Sequence, residues 1–493
     1  MHASSQADPA HREVLGQPRG LATLFLTEMW ERFSYYGMRS ILILYAVGAV
    51  SEGGFGLGDH VASAVYGLYI AATYVFALFG GWVADRLLGA QRAVVAGGVL
   101  IMLGNALLVL GHVQTFFLGL VVIVLGVGLL KPNISVMVAE LYPEGGARRD
   151  AGFSIFYVGI SVGALLGSLL VPLAAARFGW RWGFALPVVG MMLGLGQFLL
   201  TRRWLGHRGR TAQASGSWRG WLPVVALVAV VAAVALLALT GALTLDPVRL
   251  SDAASWVIAL FAIAYFAYLI FFAGLTTEER RRVYVMAALF AAYAAFFAGF
   301  EQGGASLNLF AERYTDRRIF GWEMPAGVLQ GTTALYTILF APIFAALWLA
   351  LGRRGRDLGP STKFAAGLAL LGAGYLVMYV ASGYVVAGAK VLPAWLLLTY
   401  FLQECGDLCL SPVGLSAMTK LAPPRFVGQV MGVWFLALAL GNNLAGQLSG
   451  EYDARDLNSL PVLFLKIACG SLIAAAVMGS LTPAVRRLMG GVQ

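Results

Sequence analysis

Fourteen long apolar segments run through this chain, each close to the length that a helix needs to cross a lipid bilayer at about 1.5 Å per residue. They cover residues 21–50, 60–83, 94–111, 116–139, 152–175, 184–200, 221–239, 254–275, 283–310, 326–351, 364–381, 395–420, 427–448 and 462–481. Charged residues make up only 12% of the sequence, whereas soluble domains contain about 25%. Because backbone polar groups must be paired within the segment in lipid, we predict an all-α membrane protein with 14 transmembrane helices.

The segments are arranged as six, two and six. Charged linkers near residues 202–219 and 278–282 separate the middle pair from the rest. The last six segments repeat the pattern of the first six, as in transporters that consist of two bundles. We therefore predict an N-terminal six-helix bundle over 1–202, an inserted two-helix hairpin with basic linkers over 203–282, and a C-terminal six-helix bundle over 283–493. The inserted segments contain no ionisable residue, so both are expected to face lipid.

The net charge of +10 would suggest a nucleic-acid partner in a soluble chain. In a membrane protein it is better explained by orientation. With the N-terminus inside, the tails and inner loops hold more than about twice as many Lys and Arg residues as the outer loops, which is the positive-inside bias. We therefore predict that both termini are cytoplasmic and that nucleic acid is not a partner. The first 20 residues are polar, so no cleavable signal peptide is expected.

Cysteine and histidine offer little chemistry in this sequence. Cys405, Cys409 and Cys469 lie in apolar segments, and the five histidines lie in tails, loops or helix ends. An odd number of cysteines argues against a disulfide framework, and neither residue type shows a metal-ligand spacing. Any proton transfer is therefore expected to depend on carboxylates, and no metal or cofactor is expected.

The first apolar segment contains the sequence TEMWERFSYYGMR, from Thr27 to Arg39. This stretch places four ionisable residues at membrane depth. Each costs at least ~2.5–3.5 kcal/mol on insertion scales, so their presence needs an explanation. The polar residues are spaced as i, i+3, i+4, i+7 and i+11, and they are Glu28, Glu31, Arg32, Tyr35 and Arg39. This spacing places them along one side of a helix that must face protein or water. Either they form a polar pathway, which we favour, or an ion-paired structural staple between helices.

Few other charges lie inside the apolar segments. Lys131 lies in the fourth segment, Glu301 in the ninth, and Glu404 and Asp407 in the twelfth. Three bases against four or five acids nearly neutralise one another if they converge on one cavity. The runs EQGGA at 301–305 and SPVG at 411–414 also predict irregular backbone, which in transporters marks the site near the midplane.

The motif Glu28-x-x-Glu31-Arg32-Phe33-x-Tyr35-Tyr36-Gly37 resembles the ExxERFxYYG signature of the proton-dependent oligopeptide transporter (POT) family, a branch of the major facilitator superfamily. The resemblance extends over nearly the whole chain. It continues through GGWVADRLLG (80–89), FSIFYVGISVG (153–163), FEQGGASLNLF (300–310) and GDLCLSPVGLSAMTKLAP (406–423). It implies a major facilitator fold, and the inserted pair resembles the two extra helices of bacterial members. A bacterial inner-membrane location follows as an expectation.

The resemblance also implies roles for individual residues. Its proton-linked cluster corresponds to Glu28, Glu31, Arg32 and Lys131, and its protonation-sensitive gating salt bridge to Arg39 with Glu301. A peptide carboxylate is expected near Arg39 and Lys131, and the peptide amino group near Asp407. The expected pocket walls include Tyr35, Tyr69 and Phe297, although any one aromatic residue is often simple packing.

Four residues depart from the family pattern where pocket lining is expected. Ser161 and Thr333 replace asparagine, Phe297 replaces tryptophan, and Asp407 replaces glutamate. Shorter side chains predict a roomier pocket with weaker or water-mediated contacts to a peptide backbone.

The leading prediction is therefore a monomeric, proton-coupled importer of di- and tripeptides or peptide-like compounds, with membrane lipid as its other partner. The alternative is a proton-coupled symporter of another zwitterionic or anionic small molecule. An integral-membrane enzyme is disfavoured because no HExxH, GxSxG or metal-spaced cluster occurs. A channel is disfavoured because a duplicated bundle suits alternating access.

Overall fold

A computed structural model describes residues 13–14, 16–143, 146–210, 218–240, 242–319, 321–354, 358–452 and 456–489. Within these ranges the chain forms fifteen α-helices, which are α1 Arg19–Val47, α2 Asp59–Val83, α3 Ala90–Val109, α4 Val113–Glu140, α5 Gly146–Phe178, α6 Trp180–Thr201, α7 Leu222–Leu239, α8 Pro247–Phe271, α9 Thr277–Phe300, α10 Ser306–Tyr314, α11 Gly331–Arg353, α12 Pro360–Val386, α13 Ala394–Leu421, α14 Val427–Gly450 and α15 Ser459–Met489. Two short antiparallel hairpins pair β1 Glu13–Val14 with β2 Gln17–Pro18, and β3 Arg318–Ile319 with β4 Trp322–Glu323.

The predicted set of membrane spans is confirmed in the described part of the chain. Eleven helical segments are long and apolar enough to cross a membrane by length and composition alone, with α9 and α10 counted as one. The other three are α1, α7 and α13. Helices α1 and α13 contain the ionisable residues that the sequence placed at membrane depth, and these residues lower their hydropathy.

The helices form two compact units. Unit 1 comprises Met1–Ile41 and Val75–Leu245, and unit 2 comprises Leu42–Tyr74 and Asp246–Gln493. The three-part division predicted from the sequence, with its boundaries after residues 202 and 282, stays a prediction. Part of the predicted basic linker, residues 211–217, lies outside the described residues.

Close packing of glycines joins α3 to α4 in unit 1. A Cβ atom on Gly119 would lie 2.7 Å from Gly104 O, and one on Gly126 would lie 2.7 Å from Gly97 O. The two glycines of each helix are seven residues apart, so both contacts fall on the same side of their helices. Small residues let helix backbones approach closely in a membrane, where van der Waals contact replaces the hydrophobic effect as the driving force.

The predicted break in the ninth segment is present in unit 2. Helix α9 ends at Phe300, a short 3₁₀ turn covers Glu301–Gly304, and α10 begins at Ser306. Buried Gln302 stabilises the break by donating to Ala445 O at 2.9 Å and accepting from Ser306 Oγ at 2.6 Å. Irregular backbone is tolerated at this depth only where protein buries it, as here.

The irregular backbone predicted at 411–414 is wrong. Helix α13 continues through Pro412 to Leu421 without interruption. A proline removes only one backbone hydrogen bond, and neighbouring helices readily accommodate this loss in membrane proteins. A π-helical turn, Ala84–Leu88, links α2 to α3, and Gly89 is the N-cap residue of α3.

The inserted helix α8 is not purely lipid-facing. Many of its large side chains are exposed, but Ser251 and Ser255 are buried against Asn443 of α14. Asn443 Nδ2 donates to Ser251 O at 2.6 Å and to Ser255 Oγ at 2.8 Å, and Asn443 Oδ1 accepts from Ser251 Oγ at 3.1 Å. The sequence missed this contact because the serines have no charge and do not interrupt the apolar pattern.

Candidate functional site

The polar side of α1 forms a buried charge cluster in unit 1. Glu28, Glu31 and Arg32 are each at most 4% exposed. Arg32 Nε lies 3.2 Å from Glu28 Oε1 and is also hydrogen-bonded to Glu31 Oε2. The Arg32 guanidinium lies over the ring of Tyr35, 5.1 Å from its centroid. The sequence spacing therefore correctly predicted that these side chains share one protein-facing side of the helix.

One guanidinium does not satisfy both carboxylates fully. Glu28 Oε2, Glu31 Oε1 and Arg32 Nη2 are buried without a hydrogen-bond partner among the described residues. Lys131 of α4 is an electrostatic neighbour of Glu28. Buried polar atoms are normally paired, so carboxylate oxygens with spare acceptor capacity in this position are suited to bind a proton.

Helix α5 positions the cluster by close approach to α1. A Cβ atom on Gly163 would lie 2.9 Å from the Cβ of Arg32. The motif at 153–163 therefore needs glycine at this position, because a Cβ atom would also lie 2.1 Å from Met29 O. It would push the backbone of α1, which carries Arg32, away from α5.

The other predicted site residues of unit 1 are Arg39, which is buried at 8% exposure, and Ser161. Arg39 lies over the ring of Tyr36, 5.7 Å from its centroid. Ser161 Oγ donates to Tyr157 O at 3.3 Å within its own helix. The hydroxyl that replaces the usual amide is thus turned toward its own backbone and reaches a short distance from α5.

In unit 2, a chain of hydroxyl groups leads to Asp407 of α13. Tyr293 OH lies 3.0 Å from Ser411 Oγ, and Ser411 Oγ is hydrogen-bonded to Asp407 Oδ1. The ring of Tyr293 stacks on Trp434 with a centroid separation of 4.0 Å. If Tyr293 donates to Ser411 and Ser411 donates to Asp407, every hydroxyl hydrogen is used and Asp407 accepts as a carboxylate.

Another acid, which is buried, lies one turn away on the same helix. Glu404 is 4% exposed, and its Oε1 is hydrogen-bonded to Thr337 Oγ1 of α11. Thr337 Oγ1 also lies 3.0 Å from Thr333 O. A hydroxyl has a single hydrogen, so both contacts are satisfied together only when Glu404 is protonated. Glu404 is therefore a candidate proton-binding residue beside the predicted pocket residue Thr333.

The remaining predicted residues of unit 2 are buried. Phe297 packs among aromatic rings, with its centroid 4.8 Å from that of Tyr293. A Cβ atom on Gly441 would lie 2.6 Å from the Cβ of Phe297, so this ring fills the space beside α14. Tyr69 is 4% exposed and Glu301 is also 4% exposed. Glu301 is an electrostatic neighbour of Asp407.

A continuous seam joins α2 to α14 within unit 2; we call it the α2–α14 seam. It consists of His60, Ser63 and Gly67 on α2 against Gly446, Ser449 and Gly450 on α14. His60 Nδ1 donates to Gly450 O at 2.9 Å, and the two serine Oγ atoms lie 3.0 Å apart. A Cβ atom on Gly67 would lie 2.9 Å from Gly446 Cα. Glycine is therefore required where the two backbones cross.

A half-buried ion pair closes one end of this seam. Arg313 of α10 binds both carboxylate oxygens of Asp59 at 2.7 Å and also donates to Tyr452 OH at 3.0 Å. Tyr452 OH lies 2.7 Å from Tyr314 OH. Burial and the Tyr314 contact raise the pKa of the Tyr452 hydroxyl above its usual range. Tyr452 therefore stays neutral beside Asp59, and the ion pair is not disturbed by a phenolate.

The structure thus groups the predicted residues by unit. Glu28, Glu31, Arg32 and Tyr35 are in contact in unit 1, while Glu301 and Asp407 are neighbours in unit 2. Arg39 and Glu301 belong to different units, so their predicted bridge stays a prediction, as do the contacts of a bound peptide. The sequence reasoning missed Thr337, Tyr293 and Ser411, and it missed the Asp59–Arg313 pair. The sequence contained one indication that Tyr293 belongs to the site, namely its position one helical turn before Phe297.

Comparison with known proteins identifies the family to which the chain is related. A profile of the POT family matches residues 91–463. Peptide transporter YePEPT of Yersinia enterocolitica is 41% identical over 509 aligned positions, which cover 99% of this chain and 99% of that protein. The di-/tripeptide transporter of Lactococcus lactis is 36% identical, with 90% and 91% coverage. The crystal structure of a mutant peptide transporter in complex with alafosfalin is 40% identical, covers 98% of each chain and superposes with a TM-score of 0.90.

Proposed function

The chain belongs to the POT family of the major facilitator superfamily, and we propose that it imports di- and tripeptides together with protons. It is a multi-pass membrane protein with two six-helix bundles and two inserted helices. The names of its relatives, a peptide transporter and a di-/tripeptide transporter, support the substrate class. The structural observation that carries the proposal is the buried cluster of Glu28, Glu31 and Arg32 inside a membrane helix.

The proposed proton pathway uses carboxylates in both units. Glu28 and Glu31 share one arginine, and Lys131 is close enough to respond to the charge of Glu28. Binding of a proton to either acid weakens its hold on Arg32 and changes the charge that Lys131 experiences. In unit 2, Glu301 is the proposed coupling acid. While it is ionised it holds Arg39, and when it is protonated it releases Arg39 to a substrate carboxylate.

The proposed peptide site is dipolar. Arg39 and Lys131 bind the carboxylate of the peptide, and Asp407 binds its ammonium group. The hydroxyl chain from Tyr293 through Ser411 supports this role, because it leaves Asp407 as an acceptor. Tyr35, Tyr69 and Phe297 supply apolar walls that accept different side chains without specific hydrogen bonds. Ser161 and Thr333 leave room for water between the pocket and the peptide backbone.

Counterflow tests the substrate class. Proteoliposomes loaded with dialanine should exchange external labelled dialanine, and unlabelled di- and tripeptides should compete with the label. Recovery of intact dialanine from the lumen would also establish that the protein transports peptides without hydrolysing them. If peptides do not compete but another zwitterionic or anionic compound does, the alternative substrate class replaces peptides while proton coupling is retained.

The proposed setting is the inner membrane of a bacterium, with both termini cytoplasmic, a monomeric protein and protons as the only coupling ion. The positive-inside bias supports this orientation. An epitope tag fused after Gln493 should be inaccessible to antibody in intact spheroplasts and accessible after permeabilisation. Light scattering of the purified protein measures its oligomeric state, for which we expect one chain per particle.

A further inference from the structure

A cavity of about 630 Å³ lies in unit 1, far along the chain from the charge cluster of α1. It is lined by the first two turns of α3, the end of α6 and the linker that follows α6. Arg92, Arg202 and Arg210 contribute guanidinium groups, while Val95, Ala96 and Phe198 form an apolar wall. The cavity is therefore amphipathic, with positive charge and an apolar surface in one enclosure.

The three arginines converge without an acidic counterpart. None of the three guanidinium groups forms an ion pair or a side-chain hydrogen bond with the described part of the chain. All three are exposed, so they are available to a ligand. Three like charges around one cavity repel one another, and an anion that enters the cavity relieves this repulsion.

The fold holds the linker in place so that Arg210 completes the cavity. Gln91 donates to the linker twice, from its backbone N to Gly209 O at 2.8 Å and from Nε2 to Arg208 O at 2.6 Å. Gly89, with a φ of +76°, lets the linker approach closely, since a Cβ atom there would lie 2.7 Å from Arg210 O. The site is therefore built by specific contacts between α3 and the linker.

The position of the cavity in the fold indicates its ligand. It lies where α3 begins and α6 ends, and α1 begins on the same side of the membrane because an even number of spans separates these points. Basic pockets between membrane helices on the cytoplasmic side bind the headgroups of anionic lipids. We propose that this cavity binds an anionic phospholipid. Its phosphate lies among Arg92, Arg202 and Arg210. The part of an acyl chain nearest the headgroup packs against Val95, Ala96 and Phe198.

The test uses the full-length protein and measures phosphatidylglycerol retained after delipidation, by native mass spectrometry, against phosphatidylcholine as the neutral probe. Changing Arg92, Arg202 and Arg210 together to Gln should lower phosphatidylglycerol binding by about tenfold or more. A control changes Arg281, Arg353 and Arg487 to Gln, which removes the same charge from exposed positions elsewhere and should leave binding within about twofold, since scattered surface charges contribute little. Equal losses in both triple variants would overturn the site.

A second variant separates a lipid from a free phosphate. Ala96→Trp fills the apolar part of the cavity and leaves all three arginines in place. It should abolish retention of phosphatidylglycerol, while the thermal shift produced by glycerol 3-phosphate remains small in both proteins. If glycerol 3-phosphate stabilises the wild type strongly and Ala96→Trp retains the lipid, the site binds a soluble anion and the lipid assignment is wrong. Counterflow of dialanine by each variant confirms that the protein is folded.

Discussion

Arg32 neutralises two carboxylates at once inside a membrane helix. The ionic contacts of its guanidinium group therefore depend on the charge of each neighbouring residue. Removal of one partner from a buried ion pair typically costs about 3–5 kcal/mol, because an uncompensated charge stays buried. A proton that binds Glu28 or Glu31 changes the same balance. The cluster can therefore convert protonation into a change of contacts, provided that a second base responds to it.

Lys131 is the candidate for that second base. Lys131→Ala removes the positive charge near Glu28, so we expect proton-driven accumulation of peptide to be lost. Lys131→Arg is the control, since it keeps the charge and should retain part of the activity. Accumulation by Lys131→Ala at the wild-type level would show that Lys131 has no part in coupling.

Asp407 tests the assignment of the peptide amino group. Asp407→Asn keeps the shape but removes the charge that attracts an ammonium group, so we expect dialanine affinity to fall by ~1.5–3 kcal/mol, the contribution of a hydrogen bond to a charged group. N-acetylated dialanine lacks the ammonium group and should bind both proteins about equally. Calorimetry with both ligands measures this. If the substitution leaves dialanine affinity unchanged, Asp407 is not the anchor.

At the scale of helices, we propose that the α2–α14 seam opens during alternating access. Its glycines and serines allow close approach without large interdigitating side chains, and Arg313 with Asp59 closes one end. Such a seam can separate and re-form with little repacking. We therefore expect it to open once in each transport cycle.

A disulfide across the seam tests this expectation. Ser63 Oγ and Ser449 Oγ lie 3.0 Å apart, which is compatible with the geometry of a disulfide between cysteines at these positions. In a Cys469→Ser background, the pair Ser63→Cys and Ser449→Cys should block uptake when oxidised and regain it on reduction. Ser63→Cys alone is the control and should respond to neither treatment. Full uptake by the oxidised pair would mean that the seam does not move.

Helix α8 should affect stability more than coupling. Asn443→Leu removes the partner of both Ser251 O and Ser251 Oγ and one of the two partners of Ser255 Oγ. We therefore expect a loss of ~1–3 kcal/mol in stability, the cost of unsatisfied buried polar groups. Gln447→Leu removes a less buried contact to Asp252 and Ser255 and should cost less. Thermal unfolding measures both. If Asn443→Leu instead abolishes gradient-driven accumulation in folded protein, α8 belongs to the transport mechanism.

The sequence predicts some parts of this structure better than others, for physical reasons. The positions of the spans and the polar side of α1 follow directly from helix periodicity and from the cost of charge in lipid. The break at Glu301 followed from a glycine-rich run, whereas Pro412 gave a false signal because α13 tolerates one lost hydrogen bond. Contacts such as Thr337 with Glu404 depend on which helices become neighbours and on their relative rotation. A single sequence does not contain that information in readable form.

For the whole molecule, the account requires that one proton changes both a contact between the bundles and the affinity for peptide. Coupling between two ligands is reciprocal, so a proton that favours peptide binding must itself be bound more tightly with peptide present. Glu301 is proposed to provide this link. The substitution Glu301→Gln imitates its permanent protonation. The variant should bind dialanine and perform counterflow.

The most direct test is uptake of labelled dialanine into proteoliposomes with and without an inward proton gradient, for the wild type and Glu301→Gln side by side. We expect the wild type to concentrate dialanine above the external level only when the gradient is present, and Glu301→Gln only to equilibrate it. Accumulation by Glu301→Gln would indicate that the coupling carboxylate is Glu28 or Glu31 instead. Wild-type uptake that is the same with and without the gradient would contradict proton-coupled import itself.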